Sequence, residues 1–230
     1  MLEIDGGDGG GQVVRTAVTL SALSGRAVTV GDVRGARSTP GMRPQHVAAV
    51  EAAAALCSAT VEGATTGADA LVFDPGPLRA DDVAVDVGTA GSVPLVFDTV
   101  LPLAAALAEP ATVTATGGTD VEWSPPVDYL RRVKLPLLSM AGLEADLSVD
   151  GRGFYPVGGG EATLSLSPSS RRSATTPASR PATTTSCYRP DEGPGRYPRT
   201  RPARPTPCGG TAGRRGRRHR YTTGSVRNPP

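Results

Sequence analysis

Thirteen residues, RGARSTPGMRPQH from Arg34 to His46, gather three arginines, a glutamine and a histidine. Arg34, Arg37 and Arg43 fall within ten residues. A planar guanidinium donates two parallel N–H bonds, a fork that fits phosphate oxygens. Like charge nearby opposes protonation of His46, so the imidazole suits hydrogen bonding to a phosphate better than service as a strong general base. The competing reading is a solvated loop whose arginines are spent on salt bridges, and composition does not choose between the two.

A second candidate is DGGDGGGQVVR, Asp5 to Arg15. Glycines at a strand-to-helix turn let backbone N–H groups approach an anion, and a helix N-terminus favours negative charge. The run is neither GxGxxG nor a Walker A sequence, and a tight structural turn explains it as well. Arg15 stands one helical turn beyond Gly11 and is placed to face the same mouth. GTAGSVPL, Gly88 to Leu95, is another small-residue turn at a helix start. In GGTDVEWSPPVDYLRR, Asp120 and Glu122 are candidates for holding a metal or a ribose, against capping and turn formation as the plainer role. Trp123, the only tryptophan, is read as a packed loop anchor, with stacking on a base as the alternative. His219 has no evident role.

The elements that must position these residues recur. Leu2 to Asp5 reads as a strand, followed by the glycine turn. The helix after it carries Val13, Val14, Ala17, Leu20 and Leu23 on one face and stops near Gly25. A strand over Ala27 to Val33 follows, then the arginine loop, a helix from Pro44 to Cys57, and strands near Ala59 to Glu62 and Leu71 to Phe73. The order repeats with a strand at Val83 to Val87, a helix to about Ala108 and a strand at Ala111 to Thr116. A helix at Val127 to Met140 and strands at Glu144 to Val149 and Glu161 to Leu166 complete it. The expected fold class is α+β: two β-α-β-α-β-β repeats, about 1–80 and 81–167, about 80 residues apart, with sheets and helices packed in layers.

From Pro168 the composition changes. Fourteen of the 24 basic residues, all arginine, fall at or after Ser169 with only two of the 22 acids, Asp191 and Glu192. The preceding body therefore holds ten basic and twenty acidic residues, a net of −10. Residues 168–230 contain no Leu, Ile, Met or Phe. A segment so poor in apolar surface is expected to be disordered. It reads either as a basic arm for nucleic acid, centred on GRRGRRHR, or as GC-rich coding sequence read out of frame, the reading favoured by the abrupt change. The acidic, arginine-using body is what a salt-adapted organism would encode. Cys57, Cys187 and Cys208 form neither a zinc site nor a disulfide framework. No signal peptide or membrane span is evident, so a cytoplasmic protein with no membrane partner is expected.

Five motifs in order, EIDG…GGGQVVR, RGAR…PGMRPQH, GTAGSV, GGTDVEWSPPVDYLRR and GFYPVGGGE, resemble the RNA 3'-terminal phosphate cyclase family over about residues 1–167. The resemblance implies an ATP-dependent enzyme of the ligase class, acting in RNA processing, with ATP as substrate and Mg2+ as cofactor. It converts an RNA 3'-phosphate end to a 2',3'-cyclic phosphate through a covalent histidine–AMP adduct. By resemblance, Arg15, Arg34, Arg37, Gln45 and His46 match positions that engage phosphates of the RNA end or the nucleotide. Asp8, Gly10 and Gly11 match the nucleotide turn, with Asp8 where the family usually has glutamate. Asp98 stands where the family has a glutamine contacting the nucleotide. The family's nucleophilic histidine has no counterpart among the matched residues, and neither His46 nor His219 takes its place. The chain is thus expected to lack the catalytic half. Two alternatives stand: a non-catalytic RNA-binding relative of the ribosome-assembly type, and an enolpyruvyl-type transferase built from the same repeats.

Overall fold

The computed structural model describes residues 1–169, all within one compact unit. The expectations for the arginine-rich tail, including Cys187, Cys208 and His219, lie outside those residues. Two mixed four-stranded sheets form. The first runs in the order β1-β2-β4-β3 and the second β5-β6-β8-β7. Here β1 is Leu2–Asp5, β2 Val28–Gly31, β3 Thr60–Glu62 and β4 Leu71–Asp74. In the second repeat β5 is Asp82–Asp86, β6 Ala111–Gly117, β7 Ala145–Gly151 and β8 Gly160–Leu166. In both sheets the first pair is parallel and the remaining two pairs are antiparallel. The repeat read from the sequence is therefore a repeat of topology.

Alternation explains which strand faces are buried. In β6, Ala111, Val113, Ala115 and Gly117 are buried, with half-buried threonines between them. They stand opposite Leu166, Leu164, Ala162 and Gly160 of β8, which face the same side. Period-two patterning of this kind leaves one sheet face for the helices.

Helix α1 (Gly11–Ser24) ends at Gly25, whose left-handed φ of 68° lets its N–H reach the Ser21 carbonyl at 2.9 Å. Helix α2 (Pro44–Cys57) starts with proline at its first position, where the missing N–H costs nothing. Ala48, Ala49, Val50, Ala52, Ala53, Leu56 and Cys57 are all buried. A helix buried on so much of its circumference must be central. Accordingly α2 packs on α1, on α3 (Val93–Val100) and on β5, and its alanines permit that close approach. Burial raises the Cys57 thiol to about 11, so it behaves as a small apolar side chain.

Prolines account for the departures from the expected helices. The helix expected to run to Ala108 is α-helical only to Val100 and tightens to a 3-10 turn over Leu101–Ala105, which contains Pro102. The helix expected over Val127 to Met140 is split. Short α4 (Val127–Tyr129) widens to a π turn, Leu130–Lys134, before α5 (Leu135–Met140). Pro136 has no N–H to give and crowds the carbonyl four residues back, which a wider turn relieves.

Candidate functional site

The glycine run and the arginine loop are laced together by backbone. Gly6 N–H donates to Gly31 O at 2.8 Å, Arg34 N–H to Gly6 O at 3.2 Å, and Ala36 N–H to Gly7 O at 3.0 Å. Side chains on Gly6 or Gly7 would run into Gly31, Asp32 and Val33. Arg34 holds a left-handed φ of 59°, an uncommon state for a residue with a Cβ. Its Nη1 donates to Gly41 O at 2.8 Å, pinning the far side of the loop. Left-handed backbone at a non-glycine residue persists where the surroundings over-determine it, and such places cluster at functional sites.

His46 sits in the first turn of α2 and is only 3% exposed. The Arg43 N–H donates to its Nδ1 at 3.0 Å, which satisfies a free donor at the helix start. Nδ1 is therefore the acceptor, and the neutral ring carries its proton on Nε2. That Nε2 lies where a Cβ on Gly11 would stand, so only glycine fits there. The imidazole pKa is lowered from 6.5 to about 4, first by burial and then by Arg15, Arg34 and Arg43. The sequence pointed to the right direction but named like charge; loss of solvent is the larger cause.

Arg15, Arg34, Arg37 and Arg43 all come to this place. The Arg37 guanidinium lies 3.5 Å from where a Cβ on Gly10 would be. Burial, then Arg43 and Arg37, lower the proton affinity of Arg34. Burial lowers that of Arg15, partly offset by Asp98. Among the described residues, no salt bridge involves any of these four arginines. That finding decides against the salt-bridged loop. Four cations around a neutral N–H donor make a field suited to a multiply charged anion.

Other candidates separate. Gln45 Oε1 accepts the Ser92 N–H at 3.1 Å, joining α2 to the turn that opens α3. Ser92 caps α3 through Leu95 N–H at 3.3 Å, and its Oγ also bonds the Ser124 hydroxyl. Gln45 is thus a tie between repeats as well as a cleft residue. Asp8 is exposed on the glycine turn. Asp98 is not beside it; it pairs with Lys134 at 2.7 Å and shares a separate cavity of about 340 Å3 with Gln12, Arg15 and Thr19. Arg15 therefore stands between His46 and Asp98: its charge opposes protonation of His46 and is itself favoured by Asp98.

Asp120 takes the structural role among those considered for it. Arg152 donates to it at 3.0 Å and to Asp128 at 2.7 Å, clamping the Gly117–Pro126 loop to the segment before β8. Arg152, a lone arginine between two glycines, carries no motif that would mark it beforehand. Arg131 and Arg132 are exposed on their helix, Arg132 lying 3.5 Å from Asp128. Trp123 is not a packed anchor: it is 92% exposed, with a left-handed φ of 64°. It lines a cleft of about 630 Å3 with Arg43, Gln45, Gly91, Ser124 and Tyr155. Among the described residues no three His, Cys, Asp or Glu side chains converge as a metal cage. Nor is any helix among them long and apolar enough to cross a membrane.

Comparison with known proteins gives this geometry its context. The family model for RNA 3'-terminal phosphate cyclase matches residues 6–205. The RNA 3'-terminal phosphate cyclase of Halobacterium salinarum is 53% identical over 178 residues, 73% of this chain and 52% of that protein. The protein of the same description from Archaeoglobus fulgidus is 48% identical over 175 residues, 75% and 53% of the two chains. That of Nitrosospira multiformis is 47% identical over 170 residues, 73% and 48%. The chain belongs to the RNA 3'-terminal phosphate cyclase family. It spans about half the length of the curated relatives it matches. Membership agrees with the five ordered motifs, two of which, the arginine loop and the glycine turn, are the segments laced together around His46.

Proposed function

We propose that this chain holds the phosphorylated 3' end of an RNA in the arginine cluster around His46, the site served by the family's ATP-dependent conversion to a 2',3'-cyclic phosphate. One observation carries the reading: four arginines and a neutral imidazole converge, and among the described residues none of the four makes a salt bridge. Arg37, exposed and free of such a pair, supplies a fork to the phosphate. Arg34, pinned by its bond to Gly41, supplies fixed charge. His46 donates from Nε2 without carrying charge, and stays neutral across the physiological range. Arg15 reaches toward the Asp98 cavity, where the phosphates of ATP would add to the same field. Gly11 makes room for the His46 ring, Gly10 lies beside the Arg37 guanidinium, and Asp8 lies at the edge of the turn. ATP and Mg2+ enter through the family. Magnesium is usually held by one or two carboxylates together with the nucleotide's phosphates, which does not require a preformed cage.

A second reading, binding without chemistry by this chain, is favoured by the state of His46. Its Nδ1 lone pair accepts the Arg43 N–H and its Nε2 carries the ring proton, so neither nitrogen has a free lone pair with which to attack the α-phosphate of ATP. Incubation with ATP labelled at the α-phosphate, followed by denaturing separation, should leave this chain unlabelled. An acid-labile protein–AMP adduct, together with cyclised RNA product, would instead show the whole reaction in this chain.

A further inference from the structure

Trp123 and Tyr155 are 92% and 74% exposed, yet both line the cleft that Arg43 and Gln45 share with the phosphate site. Large aromatics normally bury their surface. Here each is held outward by specific structure. The Trp123 backbone is left-handed, a strained state for a bulky residue. The loop that carries it is zipped to the segment of Tyr155: Gly153 O accepts the N–H groups of Thr119 and Asp120 at 2.9 and 3.1 Å. Arg152 closes the junction from outside through Asp120 and Asp128. Ser124, next to Trp123, bonds Ser92, whose own N–H is bound by Gln45. The aromatic edge is thus tied, bond by bond, to the residue before His46.

We infer that Trp123 and Tyr155 form a stacking platform for an unpaired RNA base close to the phosphorylated end. This rests on the reading of the arginine cluster as a 3'-phosphate site. Aromatic faces accept any base, and with a neighbouring cation they bind single strands without reading sequence. A cleft of about 630 Å3 is within the size range of small-molecule sites. Arg43, lining the same cleft and charge-coupled to His46, joins the base platform to the phosphate field. Arg152 acts as a positioning residue, setting the distance between the two aromatic segments.

The test uses the full chain, where Trp123 is the sole tryptophan and its emission reports only this place. A short single-stranded RNA with a 3'-phosphate should quench that emission. The same RNA with abasic sugars at its last two positions should bind with little quenching. Trp123→Gly, which relieves the left-handed backbone, should melt no lower than the parent while binding RNA about 5- to 100-fold more weakly. Quenching by ATP alone, with none from RNA, would place adenine on the platform and overturn the RNA assignment. Unchanged emission on RNA binding, with equal affinity for Trp123→Gly, would overturn the platform and leave the phosphate site standing. Quenching by RNA with no preference for a 3'-phosphate would support the platform while refuting the phosphate site. Emission that shifts with protein concentration alone, and not with RNA, would mean that a second copy covers the aromatics and would also overturn it.

Discussion

His46 sets the chemistry of the site at the scale of a single residue. In the fold its pKa is about 4, against 6.5 ordinarily. Between those values the unfolded chain takes up a proton that the folded chain refuses. The sign follows from linkage: this contribution is fully present above about pH 6.5 and is lost as pH falls toward 4. Its upper size is about 3 kcal/mol, from 1.36 kcal/mol per unit of displacement. Denaturant titrations at a series of pH values should show stability declining through that window. His46→Gln, which keeps an acceptor for the Arg43 N–H, should flatten the decline. The same neutrality keeps the Nε2 proton available to a phosphate at pH 7. Much of this residue-scale account was readable beforehand, because three arginines beside a histidine fix the direction of its shift. The burial that dominates was not readable, since it depends on Gly11 arriving from another element. The partner of Asp98, Lys134, lies 36 residues away, and no local pattern links them.

Helix α2 is the element that makes one site from two repeats. It brings Gln45 and His46 to the glycine turn of the first sheet and to the Ser92 turn of the second. Thr19 adds a further tie, its hydroxyl donating to Thr99 O at 2.7 Å between α1 and α3. The alanines of α2 are therefore spacers. Ala49→Leu, at a position with no exposed surface, should force α1, α2 and α3 apart and destabilise by about 1–3 kcal/mol. Thermal unfolding would register this as a lower Tm; an unchanged Tm would mean that α2 is not packed so closely. Strand and helix order was legible because alternating Val and Ala in the strands and apolar faces on the helices mark each element twice. The π turn at Leu130–Lys134 was not legible, because Pro136 dictates a disturbance but not its form. The outward Trp123 was misjudged because a positive φ leaves no trace in side-chain hydrophobicity.

Charge dominates the whole molecule. The body carries a net of −10 up to Pro168, while the site within it is locally positive. Self-repulsion of the body is screened as the Debye length shrinks from about 10 Å at 0.1 M salt to about 3 Å at 1 M. A gain of about 1 kcal/mol would raise Tm by about 2–4 °C over that range. Calorimetry showing no dependence on salt would remove the salt-adaptation reading. The local field has the opposite salt response, since phosphate binding by arginine weakens as salt rises. Stability and RNA binding should therefore move in opposite directions with ionic strength.

The arginine-rich segment after Ser169 would attract any RNA, so absolute affinity says little about the site. The ratio between two RNA ends cancels that attraction. The deciding measurement is the affinity of the full chain for one short single-stranded RNA bearing either a 3'-phosphate or a 3'-hydroxyl, in the parent and in Arg37→Ala. The phosphorylated end should bind at least about 10-fold more tightly, consistent with charged hydrogen bonds of about 1.5–3 kcal/mol. That preference should collapse in Arg37→Ala with Tm unchanged, because Arg37 is exposed and makes no salt bridge among the described residues. Equal affinity for the two ends in the parent would contradict the assignment of the arginine cluster as a 3'-phosphate site.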